Sequence, residues 1–295
     1  MPGVDMSRFL AGLAGAVCLL AAFLHWQNYG LRLKRYNISD PRLPEAFKGF
    51  KILQVSDYHN TGLLHKKIVN NAVLQNPDII LITGDLFDCR RYDKQRGLSL
   101  AEDLVKIAPV FFVSGNHESR LKDYDEVILR LEKAGVNIAD NKKFAIEKDG
   151  DYITLVGMPD PQFYLGADER GGRPLRDPQE KRTKRVRELF RRDLFRMCKA
   201  DNSFKILASH RPEFIHTYSD GDISLAFTGH AHGGQFGVPF ADTGVYVPNQ
   251  GFFPKYASGV KYEKDTCEII SRGLGNSVFP QRLFNRPQLV CVVLN

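Results

Sequence analysis

The chain is short of paired cysteines. Its five, Cys18, Cys89, Cys198, Cys267 and Cys291, are scattered, odd in number and form no CxxC pair. That excludes a disulfide framework and a cysteine-bound metal, and leaves Cys267 and Cys291 as small buried hydrophobes of strands. Internal repeats and low-complexity tracts are also missing, which excludes solenoids and long disordered segments. Excess charge is missing from most of the chain too. The formal charge is +7, and Asp168–Lys199 alone carries +6 of it, with 12 Lys/Arg against 6 Asp/Glu. A basic surface is therefore local. It suits anionic headgroups, a nucleotide or a phosphorylated substrate, and charge alone does not choose among them. The remaining composition, 43% hydrophobic and 25% charged over 295 residues, is that of a globular protein of one or two domains.

Charge is absent altogether from Phe9–Trp26, where His25 is the only strongly polar residue. Eighteen such residues just span a bilayer, and Trp26 and Tyr29 suit its interface. A cleavable signal peptide competes with an anchor, but no small-x-small site follows, and Val17 before Cys18 is a poor lipoprotein signal. We therefore expect an anchor over residues 1–30, a linker or edge strand over 31–48 with Pro41 and Pro44, and a catalytic domain over 49–295. Arg8 stands alone before the span, whereas Arg32, Lys34, Arg35, Arg42 and Lys48 follow it. The positive-inside rule then places the catalytic domain of a single-pass membrane protein on the cytoplasmic side.

Lys51–Ser56, Asp78–Thr83 and Pro109–Ser114 are short apolar runs that read as buried strands. His65–Gln75 and Asp123–Ala134 between and after them have helical spacing, the second closed by Gly135. The second half predicts a hairpin around Asp149-Gly150, from Lys143–Glu147 and Tyr152–Gly157. Further strands are expected at Phe204–Ser209, Ile223–Gly229, Gly244–Val247, Thr266–Ser271 and Gln288–Leu294. The fold class is α/β, with two packed sheets flanked by helices.

Five segments follow such runs and hold the candidate acid, amide and imidazole ligands, with five of the eight histidines: Ser-Asp57-Tyr-His59-Asn60, Gly84-Asp85-Leu-Phe-Asp88, Gly115-Asn116-His117-Glu118, Ser209-His210-Arg211-Pro212 and Gly229-His230-Ala-His232-Gly-Gly. Strand ends are where catalytic groups sit on layered α/β scaffolds. Asp57 and His59 lie two apart, as do His230 and His232, so each pair shares one side of an extended chain. Each segment alone is common: Asp88 could cap a helix, and His65 or His216 reads as an ordinary surface histidine. Joint occurrence at successive strand ends is what points to a two-metal hydrolase. A mixed nitrogen and oxygen shell suits Mn, Fe, Zn, Co or Ni without selecting one. Two cations about 3.5–4 Å apart clamp phosphate oxygens and lower the pKa of a bridging water.

As a set, Asp-x-His, Gly-Asp-x-x-Asp, Gly-Asn-His-Glu, His and Gly-His-x-His resemble the calcineurin-like metallophosphoesterases, over roughly Gly49–Asn295. Ser-His-Arg-Pro-Glu at 209–213 and Gly-Leu-Gly-Asn-Ser at 273–277 resemble its membrane-anchored bacterial branch, related to UDP-2,3-diacylglucosamine pyrophosphohydrolases. The resemblance implies a four-layer α/β/β/α sandwich. It implies one metal on Asp57, His59, Asp85 and His232, and a second on Asp85, Asn116, His210 and His230, with Asp85 bridging. It makes His117 the catalytic histidine that contacts the phosphate and assists the leaving group, with Asp88 orienting it. Asn116, His117 and Arg211 are the expected substrate contacts. The implied reaction is in-line attack of a hydroxide held between the ions on a phosphodiester or pyrophosphate, lipid-linked or nucleotide-linked. A phosphomonoesterase, a non-catalytic scaffold of the same fold and a nuclease stay open at this point.

Pro178–Lys199 has helical spacing through Val186, Leu189, Phe190, Leu194 and Met197. It is either a lid facing anionic lipid or a solvated helix that buries one apolar stripe. No specific nucleic-acid partner and no oligomer are expected.

Overall fold

The computed structural model describes residues 6–165, 181–239, 243–247, 250–276 and 279–295. Helix α1 (Met6–Tyr29) stands apart at the N-terminus: it is long and apolar enough to cross a membrane, and none of its apolar window is buried by the rest of the chain. Fourteen strands and five further helices follow among the described residues.

Six strands form the first sheet, in the order β1 (Arg32–Ile38), β14 (Gln288–Leu294), β2 (Lys51–Val55), β3 (Ile79–Thr83), β4 (Val110–Val113) and β5 (Asn137–Ile138). Strands β2 to β5 run parallel. The second sheet has the order β12 (Gly259–Glu263), β13 (Thr266–Ile270), β9 (Leu225–Thr228), β8 (Lys205–Ala208), β7 (Asp151–Gly157) and β6 (Lys142–Lys148), with β13, β9, β8 and β7 parallel. β10 (Tyr246–Val247) and β11 (Gly251–Phe252) make a small separate ribbon.

Alternation along each strand builds the layers. Ile52, Leu81, Phe111, Ile206 and Phe227 point between the sheets and form one core. Leu53, Ile80, Ile82 and Phe112 point the other way, onto α2 (His65–Gln75), α3 (Lys94–Leu104) and α4 (Tyr124–Lys133). On the far side, Val156, Leu207 and Ala226 meet α5 (Lys181–Cys198) and α6 (Ile215–Asp220). The result is the expected α/β/β/α sandwich. Gln54 ties the two sheets, donating to Thr83 Oγ1 at 3.0 Å and to the Thr228 carbonyl at 2.8 Å.

Two features differ from the sequence reading, and a third agrees with it. Of the two readings for residues 31–48, the linker gives way to the edge strand: Arg32–Ile38 pairs in parallel along all of β14, so the sheet begins before position 49. Helix α3 was not anticipated. In the basic segment, Val186, Phe190, Leu194 and Met197 are buried while Arg185, Arg187, Arg191 and Arg192 face solvent. A basic lid and a solvated helix both bury such a stripe and share this basic face; Asp168–Glu180 lies outside the described residues.

Candidate metal centre

All five predicted segments converge where the parallel strands of both sheets end. Asp57 and His59 follow β2, Asp85 follows β3, Asn116 and His117 follow β4, His210 follows β8, and His230 and His232 follow β9. Every one of these side chains is buried except His230, which is half-buried. The turns are too tight for ordinary backbone. Asp57, His59, Asp85, His230 and His232 all have φ between 47° and 62°, a left-handed conformation that costs a non-glycine residue about 1–3 kcal/mol. The loops also press together. A Cβ at Gly115 would fall 2.3 Å from Asp85 Oδ1, so glycine is required there for close approach.

Donor atoms face one another in two groups. On one side His59 Nε2 lies 3.2 Å from His232 Nε2, and His232 Nε2 lies 3.4 Å from Asp57 Oδ1. On the other, His210 Nε2 lies 3.3 Å from Asn116 Oδ1. Asp85 Oδ2 sits between them, 3.5 Å from His59 Nε2 and 3.4 Å from His210 Nε2. The donor atoms of Asp57, His59 and His232 fall within 4.8 Å of one another, as do those of Asp85, His210 and His230. His59 with Asp85 and His117, and Asp88 with Cys89 and His117, make two further such groups.

This set fits metal ions. Bonds of about 2.0–2.2 Å to nitrogen and oxygen put neighbouring ligand atoms about 3.0–3.5 Å apart, the spacing seen here. The imidazoles are also in the right state. Burial, with the neighbouring His117, holds His59 well below the usual histidine range. Burial likewise lowers His230 well below that range and brings His232 to about 4. These rings are neutral and present lone pairs. His210 differs: burial works against its proton, but the Asp85 carboxylate outweighs it and pushes the ring up to about 10. Its Nδ1 donates to the Thr83 carbonyl at 2.8 Å, so Nε2 faces Asp85 and Asn116, where a cation would replace the second proton.

His117 is buried beside His59, ring centroids 4.5 Å apart and edge-on, and its backbone N–H donates to Asp85 Oδ1 at 2.8 Å. Burial opposes its protonation, yet the Asp85 charge, with Asp88, pushes it up to about 10. Asp88 holds it less directly than expected. Asp88 Oδ1 is 3.5 Å from His117 Nδ1, while it accepts the Arg90 N–H at 2.8 Å and Arg91 pairs with Oδ2 at 2.9 Å. The nearer partner of His117 Nδ1 is the Cys89 N–H, at 3.1 Å. A neutral ring accepts from Cys89; a protonated ring turns to Asp88.

Arg211 also departs from expectation. Its side chain is buried, with Nε 2.5 Å from Asp160 Oδ2 and Nη1 2.9 Å from His230 Nε2. The guanidinium, expected to bind substrate, is committed to an internal ion pair. His65 and His216 are ordinary ion-pair partners of Asp103 and Glu263.

Two residues escaped the sequence reading. Glu118, fully buried, accepts three backbone N–H groups: Asp85 at 2.9 Å, Gly115 at 2.7 Å and Phe87 at 2.9 Å. Burial and the Asp85 charge push its carboxyl up to about 7. Its place in Gly-Asn-His-Glu was visible; its partners across 31–33 residues were not. Arg282, fully buried, donates to the Gly275 and Arg272 carbonyls and approaches His232 Nδ1 at 3.3 Å. No motif marked it.

Two sheets whose strand ends carry a candidate Asp, Asn and His ligand set match the α/β/β/α class of metal-dependent hydrolases. Residues 50–234 match the calcineurin-like phosphoesterase family, and the chain belongs to it: it is a metal-dependent phosphoester hydrolase. Over its whole length it is 24% identical to the Bacillus subtilis metallophosphoesterase YkuE, covering 99% of that protein. It is 23% identical to the Escherichia coli phosphodiesterase YaeI, covering 99% of each chain. A zebrafish transmembrane protein with metallophosphoesterase domain is 26% identical over 86% of this chain. The chain spans 55% of that protein and 55% of a Campylobacter jejuni metallophosphoesterase, Cj0846, that is 28% identical over 76% of this chain. The fold is similar to that of TT1561 from Thermus thermophilus, with a TM-score of 0.51 and 14% identity over 76% of this chain and 90% of that one.

Proposed function

We propose that the chain is a membrane-anchored, two-metal phosphodiesterase or pyrophosphatase whose substrate is lipid-linked or nucleotide-linked. The observation that carries the two-metal reading is a single oxygen, Asp85 Oδ2, facing His59 on one side and His210 on the other. Asp57, His59, Asp85 and His232 would hold one ion; Asp85, Asn116, His210 and His230 would hold the second. Divalent or transition ions there supply Lewis acidity toward phosphoryl oxygens and lower the pKa of water.

The protein's own groups do the rest. With Nδ1 held by the 88–91 loop, Nε2 of His117 is the nitrogen left to meet the phosphate, and its proton neutralises charge on the departing oxygen. Asn116 and His117 contact the substrate, whereas Arg211, fixed by Asp160, steadies His230. A diester or pyrophosphate is favoured by the relative named a phosphodiesterase. The lipid link is favoured by α1 and by the relative named a transmembrane protein, with the catalytic domain on the cytoplasmic side by the charge pattern.

The test is turnover by the full chain in detergent, reconstituted with Mn(II), on bis-p-nitrophenyl phosphate, p-nitrophenyl phosphate, a phospholipid and UDP-2,3-diacylglucosamine. Diester or pyrophosphate turnover that disappears, with metal content, in Asp85→Ala is expected. Turnover that survives Asp85→Ala overturns the two-metal reading, and preference for the monoester overturns the substrate class.

A further inference from the structure

Two exposed aromatic residues stand in the conformation least suited to them. Phe253 and Phe284 have φ of 49° and 53°, the left-handed region where a bulky side chain is an outlier. Phe253 is 70% exposed and Phe284 50%. A strained backbone that holds an apolar ring out into water gains nothing within the water-soluble fold. Phe252, 74% exposed, and Phe279, 50% exposed, accompany them.

A run of contacts links the segments that carry these rings to α1. Phe284 lies against Phe23 of the helix, centroids 6.1 Å apart. The segment carrying Phe284 is strapped to the last helical turns: Asn28 accepts the Arg282 N–H at 2.7 Å and donates to the Pro280 carbonyl at 3.0 Å, and Gln281 donates to the Leu24 carbonyl at 3.1 Å. Phe279 stacks on Phe236, centroids 5.1 Å apart. Phe236 is bonded through its carbonyl to Val245, and Val245 through its own to Phe253.

Depth follows from helix geometry. At 1.5 Å per residue, the 24 residues of α1 run about 36 Å, against a hydrocarbon core of about 30 Å. Trp26, which suits the interface, stands at its edge, and Phe23 lies about 4.5 Å further in. Whatever touches Phe23 is drawn to headgroup depth.

We infer that Phe252, Phe253, Phe279 and Phe284 form an apron that enters the headgroup layer beside the anchor, so that the partner of this face is the bilayer surface. The inference rests on the reading of α1 as a membrane anchor. It seats the metal centre against the membrane, because the strap also holds a ligand: Asn285 Nδ2 donates to the His232 carbonyl at 2.6 Å, and Arg282 approaches the His232 ring. Exposed apolar rings beside a membrane-entry point suit burial at the boundary of headgroups and acyl chains, and exposed apolar surface of this kind marks an interaction site.

The chain has one tryptophan, Trp26, which makes the test direct. The full chain is reconstituted in phosphatidylcholine–phosphatidylglycerol vesicles containing bromine-labelled acyl chains. Native Trp26 reports the anchor. Phe253→Trp and, separately, Phe279→Trp, each in a Trp26→Phe background, report the apron. Turnover of bis-p-nitrophenyl phosphate serves as the check that each variant is folded. Bromolipid quenching of the introduced indoles comparable to that of Trp26 is expected. Quenching of Trp26 with both introduced indoles unquenched overturns the apron and leaves the anchor, turning this face into a surface for another protein. Quenching at no position overturns both.

Discussion

Glu118→Gln isolates the groundwork beneath the candidate metal ligands. The carboxylate accepts three N–H groups, two on Oε2 and one on Oε1. An amide keeps one oxygen for the pair from Asp85 and Gly115 and turns its NH2 toward the Phe87 N–H. Hydrogen bonds to an ionised group are worth about 1.5–3 kcal/mol and neutral ones about 0.5–1.5 kcal/mol, so the two retained bonds lose about 1 kcal/mol each. The stranded Phe87 N–H costs about 1–3 kcal/mol more. The sum is about 3–5 kcal/mol, or on the order of 10 °C in melting temperature for a chain of this size. An opposing effect acts in the metal-free protein. Burial and the Asp85 charge raise the Glu118 carboxyl from 4.5 to about 7, opposition worth about 3 kcal/mol that a neutral amide relieves. Burial is the larger cause and stays, but cations at Asp85 would remove its share, so the loss is greater when ions are bound. Thermal unfolding of wild type and Glu118→Gln, in EDTA and in saturating Mn(II), should show the larger deficit in Mn(II), with turnover falling alongside. No deficit in either condition would refute the three-bond account, and equal deficits would refute the coupling to Asp85.

Four further outcomes are expected. His117→Ala should lower turnover by about 10²–10⁴-fold, the usual weight of a positioned acid or base, with metal content by elemental analysis unchanged; loss of metal would make His117 a ligand. Arg211→Gln should destabilise by about 3–5 kcal/mol in chemical denaturation, because Asp160 is left buried without its partner; a near-neutral effect would return Arg211 to the substrate. Phe190→Ala, which empties the contact with Phe214 and Tyr218, should cost about 3–5 kcal/mol. Each single neutralisation of Arg185, Arg187, Arg191 or Arg192 should stay within about 0.5 kcal/mol, and liposome binding altered by the four together would favour the lid reading.

The legible parts of the fold were those with strong local periodicity. Helix α2 runs over His65–Gln75 and β14 over Gln288–Leu294, as their apolar spacing required. The strand ends and the side chains that converge there were legible because each of them follows an apolar run within a few residues. Strand β1, Arg-Leu-Lys-Arg-Tyr-Asn-Ile, was half-legible: its polar composition fits an edge, and its partner lies at the opposite end of the chain. Helix α3 was hidden partly by Gly97. A helix-interior glycine argues against a helix, but here a Cβ would fall 2.3 Å from the Phe87 ring, so packing overrides propensity. Glu118, Arg211 and Arg282 were illegible in role, because each acts through partners fixed only by tertiary contact.

The left-handed backbone at Asp57, His59, Asp85, His230 and His232 sets stability and activity against each other at the level of single codons. Glycine at any of these positions would relax the turn while deleting a candidate ligand. A screen for heat resistance in metal-free buffer, blind to turnover, should therefore accumulate glycines at the heart of the site and return sturdier, inert proteins. Maps of tolerated substitutions made with and without an activity requirement should diverge most at these five residues.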